Sequence, residues 1–237
     1  MNRTRRNFLL AGLGLAATSC SKSSYISGLP GPDWPEVALR PLPSGSPVIM
    51  PTHAPAPNSP LRHVPSPTAL RTVSRSQWAK GSPIQSRLNK MGTVNRITVH
   101  HEGWKNVYFT DAASTAKRLD SIRRSHLQRL RAGDIGYHFV IDRSGRLWEG
   151  RSLGYQGAHV SKQNQNNLGF MVLGNFNQQQ PSQQQLGSLN KALTHFMRRY
   201  RVPTSRVYTH REIGSTTCPG KYLQAHMDSV RRRRQIG

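Results

Sequence analysis

Two side chains near the C-terminus have the chemistry and the spacing to share a metal ion. His210 and Cys218 lie eight residues apart, on either side of a polar, turn-forming stretch from Arg211 to Thr217, with Pro219-Gly220 directly after. A thiolate and an imidazole at the two ends of such a loop can converge on one ion, and both are good zinc ligands. Two ligands do not make a catalytic site, because catalytic zinc takes three protein ligands and keeps one position open for water. His100 is the natural third. It ends the β-branched run Arg96-Ile97-Thr98-Val99-His100, and a strand terminus delivers its side chain to the edge of a sheet.

The elements that must carry these residues are legible from periodicity. Thr110 to Arg131 places Ala113, Ala116, Leu119, Ile122, Leu127 and Leu130 at helical spacing and ends near Gly133. Tyr137-His138-Phe139-Val140-Ile141 reads as a second strand, turning at Asp142-Arg143-Ser144-Gly145 into Arg146-Leu147-Trp148-Glu149. Leu168 to Gly174 is almost continuously apolar, which predicts a strand buried on both faces. Pro181 opens a polar helix through Leu186, Leu189, Leu193, Phe196 and Met197, and Val207 to His210 reads as a last short strand. Strands alternating with helices predict an α/β fold, a mixed central β-sheet flanked by helices.

Composition divides the chain. Of its 16 prolines, 12 lie between Pro30 and Pro67, so residues 21–70 read as a disordered, Pro-rich linker. At about 3 Å per residue such a tether reaches on the order of 100 Å at most. Residues 71–237 are then one domain with a basic C-terminal tail at Arg231-Arg232-Arg233-Arg234. Residues 1–20 read as an export signal. Arg5-Arg6 followed by Phe8-Leu9 resembles the twin-arginine type, and Ala17-Thr18-Ser19-Cys20 resembles a lipobox, which makes Cys20 the expected lipidation site. Export to the periplasmic side of a cell envelope, with a lipid anchor in the membrane, follows as the expectation. With one cysteine in that segment and one near the C-terminus, a structural disulfide is not expected.

The formal charge is +24, from 34 Lys+Arg against 10 Asp+Glu. Such a surface favours polyanions. Export away from the chromosome argues against nucleic acid, which leaves anionic wall polymer or lipid headgroups.

Seven motifs follow one another in order: Thr72 to Trp78, Val99-His100-His101, Asp134-Ile135-Gly136-Tyr137-His138-Phe139, Glu149-Gly150-Arg151, Gly157-Ala158-His159, Thr209-His210-Arg211-Glu212 and Thr217-Cys218-Pro219-Gly220. Together they resemble the peptidoglycan recognition protein and type 2 amidase family, across residues 71 to about 230. The resemblance implies Zn2+ held by His100, His210 and Cys218. His101 competes for the first position, but strand alternation points it to the opposite face. It implies catalytic roles for Tyr137 and Thr216 and substrate contacts from His101, His126 and His159. The activity implied is zinc-dependent hydrolysis of the amide bond between N-acetylmuramic acid and L-alanine in peptidoglycan, by a monomer. The alternative is a peptidoglycan-binding module without activity. Glu102 departs from the pattern, which has a small hydroxyl residue after the second histidine.

Overall fold

The computed structural model describes residues 70–237, so the export signal, Cys20 and the Pro-rich segment lie outside the described residues. Six strands form one sheet: β1 (Thr72–Val73), β2 (Arg96–His101), β3 (Phe139–Ile141), β4 (Leu147–Glu149), β5 (Asn167–Val172) and β6 (Val207–Thr209). Their order is β1-β4-β3-β5-β2-β6. Only β3 and β4 are antiparallel; the other neighbours run parallel, so the sheet is mixed. The β3–β4 turn is set by Asp142, whose carboxylate accepts from the backbone N–H groups of Ser144 and Arg146. Gly145 completes that turn at φ +78°, with no room for a side chain, since a Cβ would lie 2.6 Å from the Gln184 carbonyl oxygen.

Alternation along the strands makes two apolar faces. Helix α1 (Ala112–Arg129) covers one, where Leu119 and Ile122 pack with Trp78, Tyr137, Val140, Trp148 and Met171. Helices α2 (Gln183–Tyr200) and α4 (Lys221–Arg232) cover the other, which carries Ile97, Val99, Phe139, Phe170 and Val207. Each fully buried Leu or Phe on these faces stabilises the fold by about 2 kcal/mol. The helix starts follow their caps: Asp111 accepts from Ser114 N–H at 2.7 Å, and Ser182 with Gln185 forms a capping box before α2. Trp78 is a packing residue, donating its indole N–H to the Glu149 carbonyl oxygen at 2.7 Å.

Three expectations change. Tyr137 and His138 precede β3 rather than lying within it, because their backbone bonds go to Arg151, Gly150 and Gly169 in the loop around them. His210 is not the end of a strand: it opens a one-turn helix α3 (His210–Ile213), so the expected loop begins as a helical turn. The basic tail is also not a solvated extension. It is the end of α4, whose Leu223, Met227 and Val230 are buried at helical spacing, with Ile236 folded back into the same core.

Candidate metal centre

His100, His210 and Cys218 converge at the carboxyl ends of the parallel pair β2 and β6, the end of parallel strands where ligands are usually bound. Their donor atoms all lie within 4.8 Å of one another, and Cys218 Sγ is 3.7 Å from His100 Nδ1. Tetrahedral zinc with ordinary Zn–S and Zn–N bonds separates a sulfur from a nitrogen ligand by about 3.6 Å. The donor set therefore fits zinc in number, chemistry and spacing. His100 is fully buried, whereas His210 and Cys218 keep 5% and 9% exposure, so the cluster opens toward solvent on their side. Burial, reinforced by the neighbouring His159 and His210, holds the His100 pKa well below 6.5 and leaves its imidazole neutral, the form that binds a metal.

Each donor is positioned by a separate device. His101, one residue on, takes the opposite strand face as alternation requires: its Nδ1 accepts from Phe176 N–H at 3.1 Å, while its own backbone N–H is 3.4 Å from Cys218 Sγ. The Cys218 loop closes through Arg211 N–H to the Cys218 carbonyl oxygen at 2.8 Å and through Cys218 N–H to Thr216 Oγ1 at 3.1 Å. Gly220 packs against the backbone of Phe176 so closely that a Cβ would lie 2.4 Å from its carbonyl carbon. The α3 turn bearing His210 is held by Glu212, which accepts from Thr209 N–H at 2.7 Å and pairs with both terminal nitrogens of Arg231 on α4. Burial alone would raise the Glu212 pKa, but these donors, with Gln224, bring it down to about 2.

Tyr137 stands beside the cluster, its ring centroid 5.2 Å from that of His100. Burial, then the Cys218 sulfur, pushes its pKa far above 10, so the phenol stays protonated and keeps an O–H to donate. Thr216 is half-buried at the mouth of the Cys218 loop. The two remaining expected histidines, His126 and His159, are buried, as is His101. His159 Nδ1 is 3.0 Å from His100 Nε2, and His126 Nδ1 accepts from Gly136 N–H at 2.8 Å, next to the backbone of Tyr137. Glu102 pairs with Arg118 of α1, whose guanidinium lies 4.3 Å from the Trp104 ring.

Residue type and spacing assign no role to Arg151, His138 or Asp134, although all three lie within the ordered motifs. Arg151 donates to the carbonyl oxygens of Asp134, Ile135 and Gln156 at 2.6–2.9 Å, cradling the segment that presents Tyr137. His138 bridges Gly169 N–H and the Tyr155 carbonyl oxygen. Asp134 binds Arg75 and Arg123. A local signal existed for His138 alone, a histidine inside the apolar run 137–141; Arg151 sits between Gly150 and Ser152, and the partners of both lie on other loops.

A family model described as N-acetylmuramoyl-L-alanine amidase matches residues 90–221, which is 132 of the 237 residues. Peptidoglycan-recognition protein SC2 of Drosophila melanogaster is 30% identical over 149 residues, covering 62% of this chain and 79% of its own length. Among solved structures, the N-acetylmuramoyl-L-alanine amidase LysC from Clostridium intestinale matches with a TM-score of 0.57 at 23% identity, over 70% of this chain and 99% of that one. Peptidoglycan recognition protein LE in complex with tracheal cytotoxin, a monomeric diaminopimelic acid-type peptidoglycan, matches with a TM-score of 0.58 at 22% identity, over 65% and 91%. The two structures share the fold, and the family match spans all three converging donors and Tyr137: the chain belongs to the N-acetylmuramoyl-L-alanine amidase family.

Proposed function

We propose that the domain is a zinc-dependent amidase that hydrolyses the bond between the lactyl group of N-acetylmuramic acid and L-alanine. The observation that carries this reading is the meeting of two imidazoles and one thiol within 4.8 Å at the sheet edge, beside a tyrosine that stays protonated. Bound there, zinc would bring the pKa of water down to about 7 and polarise the scissile carbonyl. The protein's own groups would do the rest. His100, neutral and locked by His159, holds its donor atom in place without competing for a proton. Tyr137 donates its O–H to the carbonyl oxygen as negative charge develops on it, a contribution that strengthens in the transition state. Thr216 offers a further hydroxyl from the Cys218 loop, weaker than a cation at the same place. His101, His126 and His159 act, in this reading, by ordering the pocket walls that receive the stem peptide.

The complex of peptidoglycan recognition protein LE with tracheal cytotoxin, a protein of the same fold, supports a muropeptide as the ligand class. A binding-only module is the alternative, and the presence of a thiol as third donor favours catalysis over it. We further read residues 1–20 as the export signal, Cys20 as a lipid anchor and residues 21–70 as the tether. On this reading the domain works in the periplasm facing the wall, and we take it to act as a monomer. The mass of the mature N-terminus tests the anchor.

Mass analysis of muropeptides incubated with the wild-type protein and with Cys218→Ala tests the activity. Free stem peptides released by the wild type alone, together with one zinc per chain, are the expected result. A wild type that binds muropeptides and releases nothing with zinc present would establish the binding module instead.

A further inference from the structure

On the sheet face opposite the metal centre, a groove of about 1220 Å3 runs between α2 and the end of the sheet formed by the edge strand β1 and its neighbour β4. Its lining includes Leu70, Arg71, Leu153, Lys191, Phe196 and Arg199. The floor is apolar, formed where Phe196 packs on Phe139 with ring centroids 4.7 Å apart. The rim is cationic. Arg71, Lys191 and Arg199 are exposed, and among the described residues none of the three takes part in an ion pair. The only carboxylate among the described lining residues, Glu149, is already engaged by the Thr72 hydroxyl and Arg75 N–H. Helix α2 itself contains no acidic residue. Lys191, His195 and Arg199 succeed one another at single-turn spacing, a line of basic side chains about 12 Å long.

We propose that this groove is a second binding site, separate from the metal centre, for a linear anionic wall polymer, a phosphodiester chain of polyol or sugar units. The choice of a wall polymer rests on the amidase reading above; the choice of a linear polyanion rests on the groove. The cations Arg71, Lys191 and Arg199 along the rim match anions repeated along a chain, and the apolar floor between them accepts the faces of sugar or polyol units. A bilayer surface is flat and would not reach a floor recessed behind the rim. Function follows from the placement. Polymer held on the back of the sheet leaves the His100–Cys218 edge free, so the domain stays on the wall between hydrolytic events and its effective concentration there rises.

The test uses the full-length protein and polyglycerol phosphate as the probe, at about 0.15 M salt where long-range attraction between exposed charges is screened. The triple variant Arg71→Ala, Lys191→Ala, Arg199→Ala should lose roughly tenfold or more in affinity. A control, Arg87→Ala, Arg129→Ala, Lys162→Ala, removes the same number of exposed charges elsewhere and should stay within about twofold. Cleavage of a small soluble muropeptide by the groove triple should equal wild type. A wild-type protein that binds polymer but cleaves no muropeptide would therefore refute the amidase reading and leave the groove standing. Equal losses in both triples, or none in the groove triple, would overturn the site. Tighter groove-dependent binding to phosphatidylglycerol vesicles or duplex DNA than to the polymer would overturn the ligand assignment.

Discussion

His159 fixes which nitrogen of His100 is available to a metal. Its Nε2 lies 3.2 Å from the Asn167 carbonyl oxygen and its Nδ1 lies 3.0 Å from His100 Nε2. A carbonyl can only accept, so the His159 proton is on Nε2 and its Nδ1 accepts from His100 Nε2–H. His100 is left with Nδ1 as its lone-pair nitrogen, the atom facing Cys218 Sγ. A residue expected to touch substrate thus has a second task, orienting a ligand.

Breaking that chain should loosen the metal. His159→Ala is expected to weaken zinc binding about 10–100-fold, as loss of an outer hydrogen-bond partner does elsewhere. Gly169→Ala should act in the same direction, because a Cβ there would lie 2.5 Å from His159 Cδ2. Competition against a chromophoric chelator measures both. Wild-type affinity in His159→Ala would remove the orienting role.

Tyr137→Phe deletes a donor and nothing else. It should lower kcat by about 100-fold or more while zinc content stays at the wild-type level. Because burial keeps this phenol protonated, Tyr137 should add no alkaline limb to the pH–rate profile between pH 6 and 10. A Phe variant with full kcat would show that the hydroxyl does not meet the reacting carbonyl.

Acid should unfold the domain through its buried histidines. Burial lowers both His126 and His138 to about 4, against 6.5 for an exposed imidazole, and each accepts a backbone N–H that protonation would displace. The folded state binds fewer protons than the unfolded chain in this range. Their contribution is therefore complete above about pH 6.5 and is lost as pH falls toward 4, on the order of 3 kcal/mol for each. Urea midpoints at steps from pH 8 to 4 should fall along that limb, and His126→Gln should make it shallower. A midpoint constant down to pH 4 would contradict this.

Arg151→Ala should cost about 3 kcal/mol by leaving the carbonyl oxygens of Asp134, Ile135 and Gln156 without their shared donor. Thermal melting checks the stability. The same variant should also lower kcat, since the freed segment carries Tyr137.

Removing metal from the purified protein should lower its melting temperature, and added zinc should restore it, because an ion bound only by the folded state stabilises it by mass action. Cys218→Ala should show no zinc-dependent shift.

Much of this was written in the chain. The 3.6-residue spacing from Ala113 to Leu130 and the apolar run after Leu168 gave α1 and β5, since those patterns arise from burying one stripe of a helix or both faces of a strand. Motif order brought His100, His210, Cys218 and Tyr137 forward together. Local spacing offers Arg231 a partner in Asp228, one turn back, but it could not show that the Arg231 run ends a packed helix, because the second partner, Glu212, is 19 residues away and meets it only across the α3–α4 contact. Nor could it show how His126 and His159 are used: burial and hydrogen-bond partners are set by which loops the sheet brings together, and Gly136, Asn167 and His100 reach those rings only in the folded chain. Residue types and their order determined which chemistry was available, and tertiary packing decided which atoms of those residues face the metal centre.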